Sequence, residues 1–443
     1  MTGGLLSPRD ARTHWASLIM PSDQFLLYCF DHGTAHGPSA AEVADLVMGR
    51  APSITDLRLR IAPVPGDLEH PAWAPNTVVD VREGIARTWA EVPAAVARLF
   101  GRQVDATVSP WRLHVFPHVV GAPRCTGTAT VVALQVAHAL ADGRRASAIA
   151  RALFDGAPAA PVPVFRPLPR AVRAARGVVG LPAALARTVA LGLLSSPARA
   201  EIDRRTRAGN LPAPVPGSPL TVLNAPPDAS RDIRMLVRDS ASLRSGHTVT
   251  VNALAAVSLA TERYLRRRGA AVPDSLAAEV MVARERRHGE RNAFGNVSVP
   301  LYPGVPPAER PALIAGALGR ARARAGSPLW RTVGAAEDAA PSVLASMGVR
   351  AFDPSVRPET MAGATVLSSV HRGPSDLVLL GGRSVFTAGF PALSPAMGLT
   401  HGVHGLGDAV TVSVTSSRTA VPDPDDYAEL LEAALDEVAQ LRA

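Results

Sequence analysis

The chain contains no lysine: its 46 cationic side chains are all arginine, set against 38 acidic ones for a formal charge of +8. Such a balance invites a nucleic-acid reading, but that would need clustered cations interleaved with aromatic rings. Here the arginines are scattered and aromatics make up only 4% of 443 residues, so no nucleic-acid partner is expected. Together with heavy use of Ala, Gly and Pro, the missing lysine matches the coding bias of a GC-rich genome. Cysteine is nearly absent. Cys29 and Cys125 are too few for a disulfide framework and lack metal-ligand spacing, which fits a reducing, cytoplasmic setting. No apolar run reaches the roughly 18 residues of a membrane span, and Met1 to Asp10 lacks the basic and apolar regions of a secretory signal. No phosphate-cradling P-loop or dinucleotide fingerprint occurs. What the chain does have is 47% hydrophobic residues, mostly Ala, Val and Leu, over a length that accommodates two lobes, each with its own core.

The stretch Gln135 to Gly143 carries the clearest chemical signal. Ala129 to Val136 is an apolar, β-rich run that suits an interior strand. It stops at His138, followed by the polar turn residues Asp142 and Gly143 and then a helical pattern through Ser147, Ile149 and Leu153. A histidine at a strand end sits on a rigid scaffold yet can face a channel. There an imidazole titrating near neutrality can take a proton from an alcohol or thiol.

Strand-like and helix-like segments alternate in both halves. In the first, Ala40 to Met48 is helical, Leu57 to Val64 alternates as a strand, and Ile85 to Phe100 reads as a long helix. Trp111 to Phe116 and Thr128 to His138 read as two strands. From 162 to 219 the composition shifts to Pro, Arg and Ala, with Pro-rich borders at 161–169 and 211–219. Arg170 to Leu194, interrupted near Gly180 and Pro182, places Arg170, Arg173, Arg176 and Arg187 opposite Val178, Leu185, Val189 and Leu193. Two readings follow: a surface helix touching anionic lipid, or a crossover helix with its arginines in water. The Pro182 break, which shortens any membrane face, favours the second. Beyond Leu220, Thr250 to Arg267 is a strong helix with Leu254, Val257, Ala260, Tyr264 and Leu265 on one face. Strands are expected at Ile233–Val237, Ala278–Val282, Val297–Tyr302 and Val410–Ser416, and helices at Pro307–Arg324 and Asp425–Leu441. The division expected is a lobe at 1–161, a linker at 162–219 and a second lobe at 220–443. None of His114, His118, His247, His288, His371, His401 or His404 has metal-ligand spacing, and His401-Gly402-Val403-His404 reads as a loop, so no metal is expected.

His138, Asp142 and Gly143 complete most of an HHxxxDG signature, with Ala137 in place of the first histidine. Leu6-Ser7-Pro8-Arg9-Asp10, Ser109-Pro110-Trp111-Arg112-Leu113-His114-Val115, Leu223-Asn224 with Arg231, Thr250-Val251-Asn252, Gly295-Asn296, Leu367 to Pro374 and Val421-Pro422-Asp423 follow in order. In this series the chain resembles the bacterial wax ester synthase/diacylglycerol acyltransferases, within the chloramphenicol-acetyltransferase-like and condensation-domain superfamily. The departures at Ala137, at Ala253 (where the family has aspartate) and around Val370 to Ser375 mark it as divergent.

The resemblance implies an α/β (α+β) fold of two acetyltransferase-like lobes, each a mixed sheet with helices, around an active-site tunnel. It implies transfer of a long-chain acyl group from acyl-CoA to diacylglycerol or a fatty alcohol, with no bound cofactor. His138 would be the general base. Asp142 would support the site by pairing with a basic side chain, and Gly143 would let the backbone turn closely beneath the base. Asn252 is either an oxyanion donor or a helix N-cap. Trp111 suits the core or the tunnel wall and is the second substrate-binding candidate beside Gly143. Other hydroxyl acceptors of lipid or polyketide type, or a lipid-binding accessory protein without turnover, are the alternatives. Peripheral contact with membranes or lipid droplets is compatible with each.

Overall fold

The computed structural model describes residues 4–155 and 167–441. The expected boundary at 161–162 and the first six residues of the Pro-rich border lie outside the described residues. The first half runs through α1 (Pro8–Ser17), β1 (Gln24–Asp31), α2 (Ala40–Arg50), β2 (Leu59–Ala62), β3 (Ala72–Pro75), β4 (Val81–Glu83), α3 (Val92–Ala97), β5 (Trp111–Val119), β6 (Ala129–Val136) and α4 (Gly143–Asp155). Helix α5 (Arg170–Arg207) links it to β7 (Ser218–Pro219), β8 (Asp232–Asp239), α6 (Val249–Arg267), β9 (Ala277–Ala283), β10 (Phe294–Pro300), α7 (Arg310–Ala325), α8 (Leu329–Ala339) and α9 (Ser342–Arg350). The chain closes with β11 (Thr360–Met361), β12 (Thr365–His371), β13 (Val378–Leu379), β14 (Gly382–Gly389), β15 (Leu399–Leu406), β16 (Ala409–Ser416) and α10 (Pro424–Gln440).

Two six-stranded sheets organise the molecule, in the orders β13-β14-β1-β6-β5-β4 and β10-β9-β12-β15-β16-β8. Both mix parallel and antiparallel pairs: β4 runs parallel to β5, and β12 parallel to β9 and β15. β13 and β14 come from the second half of the chain yet complete the first sheet, with β14 antiparallel to β1. In the second lobe α6 and α10 share a core through Leu254, Val257, Leu431 and Leu435.

β6, the strand that delivers His138, is buried at all eight positions. Its alternation sends Val132, Leu134 and Val136 into a core with Trp15 and Ile149, and Val131 and Ala133 into another with Phe25 and Phe386. A strand covered on both faces reads as a continuous apolar run, as its sequence does.

Three local expectations change. Ile85 to Phe100 is not one helix. Ile85 is exposed, a 3-10 turn spans Trp89–Glu91, and the α-helix begins only at Val92, because Pro93 is tolerated in a first turn but not inside a helix. The His401 to His404 segment is not a loop but lies within β15, with both histidines buried.

Helix α5 is the third. It runs unbroken for 38 residues with Pro182 and Pro197 inside it, and among the described residues it is long and apolar enough, by length and composition, to cross a membrane. Packing against α8 offsets the helix-breaking cost of the prolines. At Gly177 the helix approaches the Leu68 carbonyl so closely that a Cβ would stand 2.1 Å from its oxygen, which only glycine permits. Arg173 is not in water. It is buried and donates to Glu69 Oε2 at 2.7 Å, the Ala62 carbonyl at 3.0 Å and the His70 carbonyl at 2.5 Å. The opposite face looks outward, with Val189 63% and Leu193 70% exposed.

Truncating Leu134 to Ala should therefore cost about 2–5 kcal/mol in urea unfolding, since the cavity lies between packed layers. Acid should destabilise the protein as well. Burial pulls His401 down to about 3, and His404, also pressed by Arg372, lies well below the ordinary value of 6.5. The unfolded chain takes up these protons near pH 6.5 while the folded one refuses them, so stability is full above that value. It falls by about 1.4 kcal/mol per pH unit for each such group below it. Thermal midpoints measured from pH 7.5 to about 5 should drop, and a His404→Gln variant should show a shallower slope.

Candidate active site

β6 ends at Val136, and the chain turns immediately. The Ala137 N–H donates to the Pro110 carbonyl at 2.8 Å and the Leu140 N–H to the Ala137 carbonyl at 2.9 Å. This fixes His138 at the strand end, half-buried. Asp142 then starts α4, its Oδ1 accepting the Arg145 N–H at 2.8 Å as an N-cap does. Its Oδ2 accepts from the Arg286 guanidinium at 2.7 Å and the Ala293 N–H at 3.0 Å. Both partners lie between or at the edge of β9 and β10, so Asp142 joins the two lobes. Gly143 is the first residue of α4. A Cβ there would stand 3.4 Å from Val370 Cγ2, so the helix start lies close against the end of β12.

The partner of His138 comes from 154 residues away. Asn292 donates both hydrogens of its side-chain amide, to Asp10 Oδ1 at 2.9 Å and to the His138 carbonyl at 2.8 Å. Neither acceptor can donate, so the amide has one orientation and its Oδ1 faces His138 Nδ1 at 3.0 Å. An amide oxygen only accepts. The neutral imidazole therefore carries its hydrogen on Nδ1 and presents the Nε2 lone pair. Asp10 holds this arrangement from behind, accepting also the Asn292 and Arg291 backbone N–H groups at 3.1 and 2.9 Å and the Ser7 hydroxyl at 2.6 Å.

Burial pushes the His138 pKa below the ordinary 6.5, and the Asn292 hydrogen bond with the charges of Asp142 and Asp10 offsets this only in part. The ring stays neutral and basic at physiological pH. Phe294 packs against it, ring centroids 5.3 Å apart. Asp56 completes the polar surround by binding both Arg145 and Arg291. Burial alone would raise its pKa, but the two guanidiniums outweigh that and hold it low.

Two anticipated residues stand elsewhere. The Asn252 amide donates to the Leu243 and Ser245 carbonyls at 3.0 and 3.1 Å, so both its N–H groups are spent on the loop before α6 and no donor is left for an oxyanion. It is not the N-cap either; that is Thr248. Trp111 is fully buried in the first-lobe core, its indole N–H on the Leu57 carbonyl at 3.0 Å, and takes no part in lining the site. Asn292 had no motif to announce it. Its only sequence signal is its place three residues before Gly295-Asn296, and those two residues lie inside β10 rather than ahead of a strand.

Residues 291–439 match the family described as the WS/DGAT C-terminal domain. This stretch, about a third of the chain, is similar to that domain. The resemblance read from the ordered motifs is thereby borne out, and the matched stretch begins at Arg291 and Asn292, the two residues that meet Asp10 and His138.

Among solved structures, the wax ester synthase/diacylglycerol acyltransferase from Marinobacter aquaeolei VT8 superposes over 98% of both chains at 18% identity and a TM-score of 0.63. The starter condensation domain of rhizomide synthetase, solved with C8-CoA and Leu-SNAC, covers 99% of this chain and 94% of its own at 12% identity and a TM-score of 0.58. The condensation domain of the monacolin K polyketide synthase covers 99% and 98% at 12% identity and 0.54. The expected fold, two mixed α/β lobes of condensation-domain type, is what these likenesses show.

Replacing Asn292 with Ala should cost about 1–3 kcal/mol of stability, because the Asp10 carboxylate and the His138 carbonyl lose buried donors. It should also release the Nδ1–H tautomer, which NMR of the imidazole nitrogens would detect. In the unaltered protein the same spectra should titrate with a midpoint below 6.5.

Proposed function

We propose that the protein is an O-acyltransferase that moves a long-chain acyl group from acyl-CoA to diacylglycerol or a fatty alcohol, with His138 as general base. The WS/DGAT match supports an acyltransferase. The observation that carries the mechanism is the Asn292 oxygen on His138 Nδ1, which leaves Nε2 as the basic nitrogen. Nε2 takes the hydroxyl proton as the acceptor oxygen attacks the thioester carbonyl carbon. A C–O bond forms, the tetrahedral intermediate collapses with loss of the C–S bond, and the imidazolium returns the proton to the departing thiolate. The products are an ester and free CoA. Ala137, where the family carries its first histidine, is nearly buried and offers only its backbone to this region, so the base is assigned to His138 alone.

Lipid access suits the geometry on the α5 side. A cleft of about 990 Å³ lies between the N-terminal segment and α5, with Leu5, Leu6, Pro8, Trp73 and Leu181 among its walls, and reaches Arg291 and Ser7 beside the His138 network. The outward apolar face of α5, with Val189 and Leu193 exposed on it, suits a lipid surface on which such acceptors reside. We assign α5 this peripheral role, since the unbroken helix removes the objection that Pro182 raised.

Free CoA release from palmitoyl-CoA, with diacylglycerol or hexadecanol supplied, tests the reading. Release should depend on acceptor and fall about 10²–10⁴-fold in His138→Ala. Release that survives in the variant would remove His138 from the mechanism, and no release with either acceptor would point to another hydroxyl acceptor or to a binding protein. The acid limb of the rate profile should lie below pH 6.5, because only the neutral ring accepts a proton. Sedimentation with anionic phospholipid vesicles should carry down the unaltered protein and lose the Val189→Glu/Leu193→Glu variant.

A further inference from the structure

A second cleft, also of about 990 Å³, opens beside the catalytic turn, between α1, the start of α4, the β9–β10 segment and the α7–α8 junction. Eight arginines and four carboxylates line it. Asp338 is shared by Arg12 and Arg287, Glu290 pairs with Arg284, Glu285 with Arg331, and Arg286 is spent on Asp142. Three cations remain. Among the described residues Arg9, Arg144 and Arg322 form no ion pair. Arg144 directly follows Gly143 and is exposed, as is Arg322 at the far wall. Arg9 is half-buried; one of its N–H groups donates to the Phe294 carbonyl, the others carry no ion pair, and its guanidinium lies 5.4 Å from the centre of the Phe294 ring that packs on His138. Burial and the nearby Arg284 and Arg12 depress its pKa, a crowding of positive charge that a bound anion would relieve. Trp330 lines the same cleft, 37% exposed, its indole N–H held by the Arg324 carbonyl at 3.0 Å.

Unpaired guanidiniums around a partly open indole are the groups that recognise a phosphorylated nucleotide, by charge-assisted hydrogen bonds to phosphate and by stacking on the base. The Phe294 ring, which Arg9 overlies and which packs on the His138 ring, joins this surface to the imidazole. We infer that this cleft binds the 3′-phosphorylated adenosine diphosphate of CoA, with Arg9, Arg144 and Arg322 on its phosphates and Trp330 against its adenine. The inference rests on the acyl-CoA reading above and adds where the donor's nucleotide sits. It assigns the two clefts different tasks: the arginine cleft receives the polar end of the donor, and the apolar one beside α5 receives lipid.

Calorimetry with free CoA, which involves no turnover, tests the site directly. The unaltered protein should bind CoA more weakly as salt rises. Arg144→Gln/Arg322→Gln, both at exposed positions, should lose about tenfold or more in affinity, while pantetheine, which lacks the nucleotide, should bind both proteins alike. In turnover the double variant should raise the KM for palmitoyl-CoA by about the same factor with kcat within about twofold, and leave palmitoyl-N-acetylcysteamine turnover unchanged. Trp330→Ala provides a second, charge-neutral variant and should weaken CoA binding without changing its salt dependence. CoA bound equally by unaltered protein and both variants would overturn the site while leaving acyl-CoA chemistry intact. No CoA binding by the unaltered protein would overturn the acyl-CoA reading, and the site with it.

Discussion

The arrangement around His138 depends on one amide that cannot turn over. Asn292 has two hydrogens and one oxygen, and the surrounding acceptors, the Asp10 carboxylate and the His138 carbonyl, claim both hydrogens. The oxygen is thereby committed to the imidazole. Asp10 does not touch the ring, yet its charge and position decide which ring nitrogen holds the hydrogen. A carboxylate placed directly on Nδ1 would favour the imidazolium more strongly; a neutral amide sets the tautomer and leaves burial free to keep the ring uncharged.

The same contacts hold the two lobes together. His138, Asp142 and Asp56 belong to the first sheet's side of the molecule, and Arg286, Arg291 and Asn292 to the second. The contacts Asn292–His138, Asn292–Asp10, Arg286–Asp142 and Arg291–Asp56 all cross between them. Such buried or half-buried ion pairs offset the cost of their own desolvation only when well satisfied. Here Asp142 accepts from a guanidinium and two backbone N–H groups, so its oxygens are occupied. The His138 ring is therefore positioned by the docking of two lobes as well as by the turn that carries it.

How much of this was legible depended on how local the signal was. The buried strand ending at His138 could be read because an apolar run followed by a polar turn is a property of adjacent residues, and α6 because its periodicity repeats over five turns. Asp142 could be placed at a turn, but its Arg286 partner could not. Asn292 was missed since its meaning lies in His138 and Asp10, 154 and 282 residues distant. Asn252 drew attention through a motif, while its amide serves the loop before its own helix. The strand holding His401 and His404 looked like a loop because glycine and histidine are weak strand formers, and burial between neighbouring strands overrides that preference. In α5 the prolines argued for a break that packing against α8 prevents.

The strand exchange between halves sets a limit on how the molecule can come apart. β14 pairs with β1, so the sheet whose strand β6 leads to His138 is incomplete until the chain has been made almost to its end. A fragment stopping in the linker would leave β1 as a bare edge, with the apolar surface that Phe386 and Ala388 cover in the finished protein. Bare apolar edges recruit other chains. The two lobes are thus separate layers in space but one unit in folding: during synthesis the first must wait, partly open, for the second to close it.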